Sequence, residues 1–582
     1  MKKTISLFLL SFLVWNADAQ TTANAVWLRH TCGYTDGTSL LGGNVWGDAV
    51  CADAFGNSYN SGSFMGFWFT MDTVIDMNTN RFYINKYNSN GKRIWTAKAK
   101  GTTINSIMST SKMLCDSVGN VYLCGTFSVD DSVYLSPNWY PVGGGYIAKY
   151  DSSGNNIWCR YVSRSGTAGI SFTDMSLANG KLYACGNANY GKVIFGSDTF
   201  NVTTSQNGFI TKLDLNGNIL QSELLDSNCT NELFGIVASR YTDNIYLVGH
   251  QLGASNIAVD GISVPLVLEA TNSIVIKMNS SLVAQWVKGG VTYQNPTATW
   301  GSGTKSLSRI GIDKFDNIYA IANGNGDSTR FGSLGFHHLV NGGYAQDVYT
   351  IKLNSNGIEQ WLRYGKSAEN DYVRDIIVDE NGNSVISVYS GSNALGNFYF
   401  GTDSIQQWHG GLVKYDPNGN LLFVKQLQEA RSIKSLALGI DSSFYATGNG
   451  ISYAMPYDGL NISGCEDTAN WSLADFKMVM VKFFDNTSLI STSIKEVEPS
   501  MNAILFPNPA SGFVNIKIDS KDFMPTQLSL FDVLGNRMVF KKLTPGNNEI
   551  DISEFSEGMY FYKIHNQNNQ SIQGKLMVIK TD

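Results

Sequence analysis

The chain has 582 residues, too many for one ordinary domain and enough for a large repeat domain with a smaller one beside it. Charged residues make up only 15% and aromatic residues 12%, with 58 glycines, which suits short strands joined by tight turns and argues against long helices or a disordered chain. The net charge of -6 gives no electrostatic reason to expect nucleic acid or an anionic membrane surface as a partner.

The N-terminus has the three parts of a secretory signal peptide. Two lysines precede an apolar segment at 5–15, and small residues follow up to Ala19. We predict cleavage between Ala19 and Gln20, which removes residues 1–19. No cysteine stands directly after this site, which argues against a lipid anchor, and no later segment reaches the roughly 18 apolar residues that span a bilayer. We expect an exported, soluble protein without a transmembrane segment.

Residues 20–486 repeat one pattern of four short strands in two hairpins. A Tyr in the second strand and a Lys in the third recur roughly every 60 to 75 residues, the signature of a repeat architecture. Four-stranded units of this size bury each other's faces when they stack radially. The lysines are Lys86, Lys149, Lys212, Lys277, Lys352, Lys414 and Lys482, and the residues nine positions after the first six are Trp95, Trp158, Gln221, Trp286, Trp361 and Phe423.

The seventh Lys has no aromatic residue nine positions later, whereas Trp27 stands unpaired near the N-terminus. We therefore predict a seven-bladed β-propeller over residues 20–486. Residues 25–30 are expected to form the outermost strand of the last blade, with Trp27 opposite Val481, because closure removes an unpaired sheet edge. The repeats resemble the β-propeller repeats of many exported bacterial proteins, and that resemblance implies a framework without implying an activity.

The turns of the repeats carry Asp at the first position and Gly at the fourth, as in 116–120 and 151–155. This pattern is typical of a type I turn followed by a left-handed residue, in a three-residue hairpin loop with a bulge. A calcium loop is the alternative, but these turns lack the Glu and the longer ladder of oxygen ligands that such a loop needs. We therefore interpret them as turns.

Residues 487–500 break the repeat with Ser, Thr and charged residues, which indicates a linker. Residues 501–582 then show alternating strands typical of a small antiparallel, immunoglobulin-like β-sandwich, which makes the whole chain all-β. Their motifs, in this order, closely resemble the C-terminal type A sorting domain of the type IX secretion system. The residues that carry the resemblance are Phe506, Pro507, Asn508, Pro509, Asp532, Gly535, Gly558, Tyr560, Gly574 and Lys575.

The resemblance implies a route and a partner. Such a domain engages the type IX secretion machinery and directs a folded cargo from the periplasm across the outer membrane. It is then usually removed, so we expect a mature C-terminus between residues 487 and 503. The protein is expected to be secreted or to stay at the cell surface.

The sequence contains no recognisable motif of a catalytic, cofactor or metal site. The six histidines form no His-x-x-x-His pair, and the adjacent His337 and His338 should point to opposite faces of a strand. The sequence also lacks a Gly-x-Ser-x-Gly elbow, a phosphate-binding Gly loop and a Cys-x-x-Cys pair. We therefore assign no catalytic, cofactor-binding or metal-binding residue and expect no cofactor.

Eight cysteines in an exported chain favour disulfides. The hairpin register places Cys115 and Cys124 on opposite faces, and Cys124 and Cys185 are interpreted as buried packing thiols. We predict a bond between Cys32 and Cys465, which should leave the last blade on the same face. The alternative is a bond between Cys32 and Cys51.

Two functions remain open. The first is an exported, non-enzymatic interaction protein that binds a glycan or a protein. The second is a secreted carbohydrate-active hydrolase or lyase with its site at the propeller mouth, where residues from several blades meet. Convergent carboxylates or a metal in that mouth would favour the enzyme, and an apolar, aromatic-lined rim without perturbed acids would favour the binding protein.

Overall fold

The computed structural model describes most of the chain between residues 23 and 580. The chain divides into two compact units, Met1–Leu489 and Ile490–Asp582, each described by itself below. The signal peptide with its cleavage site and the linker lie outside the described residues and stay predictions. The described ranges are 23–30, 32–34, 44–65, 68–71, 73–76, 80–101, 108–127, 133–135, 137–140, 144–165, 169–225, 230–252, 256–264, 267, 270–293, 307–324, 328–338, 346–367, 370–391, 397–406, 409–427, 430–440, 442–450, 477–485, 503–518, 525–532, 537–544, 548–566 and 571–580.

Within these residues of the first unit, seven groups of four antiparallel strands share one order, and we number them blade 1 to blade 7. Their strands, from the innermost to the outermost, are Ala49–Ala52, Ser58–Met65, Asn80–Tyr87 and Arg93–Gly101; Met108–Cys115, Val121–Phe127, Gly144–Tyr150 and Asn156–Tyr161; Ile170–Ala178, Lys181–Ala188, Asn207–Asp214 and Ile219–Leu224; Thr230–Ala238, Ile245–Leu252, Ala270–Met278 and Ala284–Tyr293; Leu307–Ile312, Ile318–Gly324, Asp347–Leu353 and Glu359–Gly365; Asp371–Val378, Ser384–Ser390, Gly410–Tyr415 and Leu421–Leu427; and Ala430–Leu438, Ser443–Gly450, Lys477–Asp485 and Ala23–His30.

Shorter strands lie between the blade strands or extend them. Those that join the blade 1 sheet are Asn44–Val45, Val133–Leu135 and Asn138–Tyr140, and those that extend blade 4 are Ser328–Phe331 and Leu334–His337. The others form small separate sheets: Cys32–Tyr34 with Trp68–Met71 and Thr73–Asp76, Ser163–Ser165 with Gly191–Phe195 and Asp198–Val202, Ile257–Val259 with Ile262–Val264, and Asn397–Phe400 with Asp403–Gln406.

The innermost strands form a closed ring. Each contacts the innermost strand of the next blade, and that of blade 7 contacts that of blade 1. The described elements are all strands, so the all-β class is confirmed. The radial arrangement confirms the propeller fold, while the number seven stays a prediction that rests on these groups.

The N-terminal strand Ala23–His30 pairs antiparallel with Lys477–Asp485, as predicted for the closing strand. The predicted register was wrong by one residue, because a bulge between Ala25 and Trp27 places Trp27 opposite Lys482. The same pair recurs elsewhere, for example where Trp95 lies opposite Lys86. Trp27 therefore takes the position in blade 7 that the aromatic residues take in other blades.

The repeated Lys and Trp join each blade to the next. Lys86 Nζ and Trp95 Nε1 of blade 1 both donate to the Ser152 carbonyl of blade 2, at 3.0 Å each. Gly154 of that turn has a φ of 90°, and a Cβ there would lie 2.9 Å from the Trp95 ring. These residues are therefore framework. Equivalent pairs of bonds run from Lys149 and Trp158 to Leu215 and from Lys352 and Trp361 to Pro417.

The closing strand supplies the same bond between the last blade and the first. Trp27 Nε1 donates to the Ser89 carbonyl at 3.0 Å, and Arg29 Nε donates to the Gly91 carbonyl at 2.5 Å. The Trp27 ring is only 6% exposed and packs between Tyr87 and Tyr445, with ring centroids 6.0 and 5.9 Å away. The N-terminal strand thus fastens blade 7 to blade 1.

The Asp residues of the first turns serve the turns themselves. Asp53 Oδ1 accepts the backbone N–H groups of Phe55 and Asn57 at 2.9 Å, and Asp53 Oδ2 accepts the hydroxyl of Tyr59 at 2.9 Å. The same Tyr-to-Asp bond joins Tyr122 to Asp116 and Tyr319 to Asp313, at 3.2 Å each. Burial, and then the nearby carboxylate, raise the pKa of all three phenols far above their ordinary value of 10.0.

We expect the stability to fall as the pH rises above about 10. The unfolded tyrosines ionise there while the folded ones keep their protons, so the stabilisation is complete below pH 10 and is lost above it. Each contributes up to about 1.4 kcal/mol per pH unit. Urea unfolding between about pH 8 and pH 11, with phenolate absorbance followed in parallel, measures this loss. The Tyr122→Phe variant should have a shallower slope, and phenolate formation by these tyrosines in the folded protein would contradict the prediction.

A disulfide that the sequence did not predict joins the innermost strands of blades 1 and 2. It links Cys51 to Cys115, whose Cα atoms are 6.1 Å apart. The alternative bond between Cys32 and Cys51 is therefore wrong, because Cys51 is already paired. Cys465 lies outside the described residues, so the bond between Cys32 and Cys465 stays a prediction. Cys124 and Cys185 are buried free thiols, as expected.

The second unit is a β-sandwich, as predicted. Its core contains Val514 and Ile550 from one sheet and Leu530, Ile564 and Leu576 from the other. The sheets consist of Ala503–Phe506, Phe513–Ile518 and Asn548–Asp551, and of Arg537–Lys542, Pro525–Phe531, Gly558–Asn566 and Ser571–Val578.

Candidate functional site

The central channel of the propeller opens into a cavity of about 800 Å³. Its lining comes from the starts of the first strands and the ends of the second strands, on the face where each blade continues into the next. Six of the blades contribute residues, and blade 3 contributes none among those described. A site built from several strands in this way has no sequence motif, so the spacing of residues did not reveal it.

β-Bulges in the innermost strands present single side chains to this cavity. In blade 6, Val373 pairs with Val388 and Asp375 with Ser387, which leaves Arg374 as the extra residue. A bulge re-aims a side chain and recurs next to functional sites. The residues in the same position of blades 2, 4, 5 and 7 also line the cavity and are Ser111, Phe234, Ser308 and Lys434. In blade 3 the residue is Thr173, which does not line it and donates to the Leu233 carbonyl at 2.9 Å.

In blades 2, 3, 4 and 7 a glycine on the second strand lies opposite the residue before the bulge, whereas Ala322 and Val388 take this place in blades 5 and 6. A Cβ at Gly249 would lie 1.9 Å from the carbonyl oxygen of Glu232, a distance that only glycine permits. The same close approach occurs at Gly125, Gly186 and Gly448. Glycine at this position is therefore a signal of the bulge in four blades that sequence reasoning missed, but blade 6, which carries Arg374, lacks it.

The carboxylates just after the bulges bind the neighbouring blade. Asp174 Oδ2 accepts the backbone N–H of Ile236 at 3.0 Å, and Asp375 Oδ2 accepts that of Leu436 at 2.8 Å. Burial raises the pKa of Asp174, against the opposing effect of nearby cations. Because their oxygens hold adjacent innermost strands together, these buried acids act as structural links.

Two close pairs of a basic and an acidic side chain lie at the cavity wall. Lys434 Nζ is 2.8 Å from Asp48 Oδ1, and His250 Nε2 is 2.8 Å from Glu232 Oε2. In the described part of the chain, no carboxylate lies within 4.0 Å of Arg374. Asp48 and Glu232 thus each have a basic side chain beside them, while Arg374 has no acidic partner among the described residues.

Aromatic rings surround Arg374. Its Cζ lies 5.2 Å from the Tyr372 ring centroid, and Tyr372 stacks on Tyr389 at 5.9 Å with an interplanar angle of 16°. Tyr389 also lines the cavity. Although Arg374 is accessible in the channel, desolvation by the surrounding protein lowers the pKa of its guanidinium, and the nearby Arg309 adds to the effect.

An unsatisfied amide completes the wall. Asn449 is only 8% exposed, and its Oδ1 has no hydrogen-bond partner in the described structure. Asn323 also lines the cavity, but its Oδ1 accepts the Val373 N–H at 2.7 Å. Asn449 therefore carries the free-energy cost of a buried polar atom without a partner, in a side chain that lines the cavity.

The histidines that the sequence singled out lie elsewhere. His337 is exposed and His338 is buried, on opposite faces as expected. His338 Nδ1 lies 3.0 Å from Asp347 Oδ2, and its Nε2 lies 2.8 Å from Thr329 Oγ1. This arrangement has the order of a catalytic triad, but Thr329 is 1% exposed and no substrate can reach it. No group of three or more His, Cys, Asp or Glu that could hold a metal occurs among the described residues.

The sorting-domain residues are spread over the second unit. Phe506 is exposed, Asn508 Oδ1 accepts the Met577 N–H at 2.9 Å, and Tyr560 is buried and donates to the Ser556 carbonyl at 3.0 Å. The other residues of the resemblance lie at strand ends, in turns or in the last strand: Pro507 and Pro509 follow cis bonds, Asp532 comes directly after a strand, Gly558 starts a strand, and Gly574 and Lys575 lie in the last strand. Gly535 lies outside the described residues.

None of the described residues forms a helix with the length and apolar character that crossing a bilayer requires.

Comparison with known proteins identifies the second unit. Residues 504–580 match the family model of the secretion system C-terminal sorting domain. No curated protein matches the chain. The chain therefore carries a sorting domain that exports it through the type IX secretion system to the cell surface or the medium.

Solved structures resemble the chain at low identity. The extracellular domain of BT4673 from B. thetaiotaomicron, described as a one component system, is 9% identical, with 95% of this chain and 99% of that chain covered and a TM-score of 0.17. A quinonprotein alcohol dehydrogenase-like protein of Bacteroides thetaiotaomicron is 11% identical, with coverages of 65% and 66% and a TM-score of 0.30. Polysaccharide lyase Uly1 is 8% identical, with coverages of 75% and 89% and a TM-score of 0.36.

Proposed function

We propose that this chain, which its C-terminal sorting domain sends out through the type IX secretion system, binds a saccharide in the central cavity of its propeller. It acts as a binding protein at the cell surface or in the medium. The observation that carries the proposal is the wall around Tyr389, where an aromatic ring, the unsatisfied Asn449 amide and several hydroxyl groups meet in one cavity.

The chemistry of this wall suits a sugar. Aromatic rings pack against the apolar C–H faces of a sugar ring, and the cavity offers Tyr389 together with Phe234, which lies edge-on to His250 at 5.2 Å. Amide and hydroxyl groups bind sugar hydroxyls and fix their orientation. The volume of about 800 Å³ falls within the usual range of about 300 to 1,000 Å³ for ligand sites.

The carboxylates favour binding over hydrolysis. Glycoside hydrolysis uses two carboxyl groups that flank the bond to be cleaved, one of them protonated and one ionised. In the described cavity wall, Asp48 pairs with Lys434 and Glu232 lies 2.8 Å from the His250 imidazole, while Asp174 and Asp375 bind backbone N–H groups. None of these four is placed as a free general acid or base.

An oligosaccharide array probed with the full exported chain, purified from the medium, tests the proposal. We expect at least one saccharide class to bind without being cleaved. Tyr389→Ala should weaken that binding about tenfold or more, because an aromatic side chain at the centre of a site carries much of the binding energy.

The Tyr399→Ala variant is the matched control. Tyr399 lies near the same blade and is 47% exposed, but it does not line the cavity, so its loss should leave the affinity unchanged. Products detected by mass spectrometry would support the rival hydrolase or lyase. An array on which no saccharide binds would refute the proposal.

A further inference from the structure

We infer that the cavity selects acidic saccharides, whose carboxylate or sulfate group binds to the guanidinium of Arg374. This inference rests on the proposed function and names the class of ligand. It starts from a single side chain that the fold presents to the channel and leaves without a counter-ion.

The position of Arg374 is built into the sheet. The bulge between Val373 and Asp375 turns this one side chain away from the ladder of blade 6. Val373 is held in place by the Asn323 side chain of blade 5, and Asp375 by its bond to Leu436 of blade 7. The residues on both sides of Arg374 are therefore bonded to neighbouring blades. These bonds restrict the position from which the guanidinium extends into the cavity.

The groups around the Arg374 guanidinium favour the binding of an anion. The Cζ of Arg374 lies over the Tyr372 ring, so the ring contacts the cation without using its N–H donors. Arginine stays charged in proteins, and its fork of N–H donors matches the two oxygens of a carboxylate. The protein partly desolvates this charge and places Arg309 nearby, and both effects lower the pKa of Arg374. A bound anion relieves both costs at once.

Other charges of the channel are already compensated. Lys434 pairs with Asp48, and Lys112 lies 3.8 Å from Asp375. Arg309 lies close enough to the buried Asp174 to lower its pKa, and it donates to the Phe234 carbonyl at 3.0 Å. Arg309 and Arg374 are thus the cavity-lining cations without a carboxylate within 4.0 Å among the described residues, and of the two only Arg309 donates hydrogen bonds to the protein, which leaves Arg374 for an anion.

Two neighbouring features make an acidic sugar a better match than a small inorganic anion. Tyr389 stacks on Tyr372 and lines the cavity, so a sugar ring bound through Arg374 has an aromatic face beside it. The unsatisfied Asn449 amide lines the cavity, and turning it toward the ligand would pair it with a hydroxyl group, which a sugar has and a simple carboxylate lacks. Uronic acids and sulfated sugars share this combination of anion, hydroxyl groups and apolar ring face.

The test compares three oligosaccharides of matched length: one neutral, one containing uronic acids and one sulfated. Binding to the full exported chain is measured by calorimetry at low and high salt. We expect at least one acidic ligand to bind about 10- to 100-fold more tightly than the neutral one, because a hydrogen bond to a charged group is worth more than a neutral one. High salt should weaken only the acidic ligand.

Arg374→Gln should remove this preference, and Arg374→Lys should keep part of it, since lysine preserves the charge without the fork of donors. Arg240→Gln is the control, because it removes the same charge from a side chain that does not line this cavity. Comparing the affinities of the uronic acid oligosaccharide and the sulfated oligosaccharide shows whether the site prefers carboxylate or sulfate.

The outcomes separate this inference from the proposed function. If neutral and acidic ligands bind equally and Arg374→Gln changes nothing, selection by charge is wrong while saccharide binding stands. If no saccharide binds, both fail. If Arg374→Gln does not fold, the salt dependence of the parent chain decides, since acidic binding that is insensitive to salt contradicts a role for the arginine charge.

Discussion

A chain that ends at Leu489 is expected to disappear from the medium and the cell surface and to accumulate in the periplasm. The deletion removes the second compact unit, which contains the match to the sorting domain at 504–580. It leaves the described propeller strands, which end with Lys477–Asp485, intact. The loss of exported protein should be close to complete, because the sorting domain is removed while the propeller can still fold. Fractionation followed by immunoblotting measures it.

Two further experiments test whether the sorting domain is responsible for export and whether it is removed afterwards. Residues 490–582 fused to a protein that normally stays in the periplasm should carry it outside. In wild-type cells, mass spectrometry of the exported chain should find a C-terminus between residues 487 and 503. Export of the truncated chain at the level of the parent would contradict the first expectation. An intact C-terminus at Asp582 outside cells with a working secretion system would contradict removal of the domain.

Trp27→Ala is expected to destabilise the propeller by about 3 to 5 kcal/mol, the usual cost of replacing a buried large aromatic residue by alanine. The substitution removes the contacts with Tyr87 and Tyr445, the bond to the Ser89 carbonyl and the packing against Gly91. All of them hold blade 7 to blade 1. Urea unfolding of the exported parent and variant gives the difference in the free energy of unfolding.

Val26→Ala is the matched control for this position. Val26 belongs to the same strand but is 48% exposed, so its truncation should change the stability by less than about 0.5 kcal/mol. A Trp27→Ala variant within about 1 kcal/mol of the parent would show that the closing strand contributes little to stability. An equal loss for both variants would place the effect in the strand's backbone and not in the tryptophan.

The framework was predictable because it repeats. A Lys and a Trp equivalent to Lys86 and Trp95 recur at constant spacing, because each such pair binds a turn of the next blade. A contact that is repeated between successive blades appears as a periodic pattern in the sequence. The unpaired Trp27 could be assigned to the last blade for the same reason. Its exact partner could not, because the bulge after Ala25 shifts the register and depends on local backbone geometry.

The candidate site was not predictable, because it does not repeat. Arg374, Phe234 and Ser308 occupy the same bulge position in different blades but share no chemistry. Even the glycine on the opposing strand is not constant, because Gly249 of blade 4 is replaced by Ala322 in blade 5 and by Val388 in blade 6. The disulfide between Cys51 and Cys115 joins neighbouring blades, so it depends on how closely the ends of two innermost strands approach each other.

The closing strand also sets an order of events. Ala23–His30 leaves the ribosome among the first residues, whereas its partner Lys477–Asp485 is made more than four hundred residues later. Until Lys477–Asp485 has been made, Ala23–His30 has no partner strand in blade 7 and the ring stays open. The distance in sequence between these two strands thus delays closure until nearly all of the first unit has been synthesised.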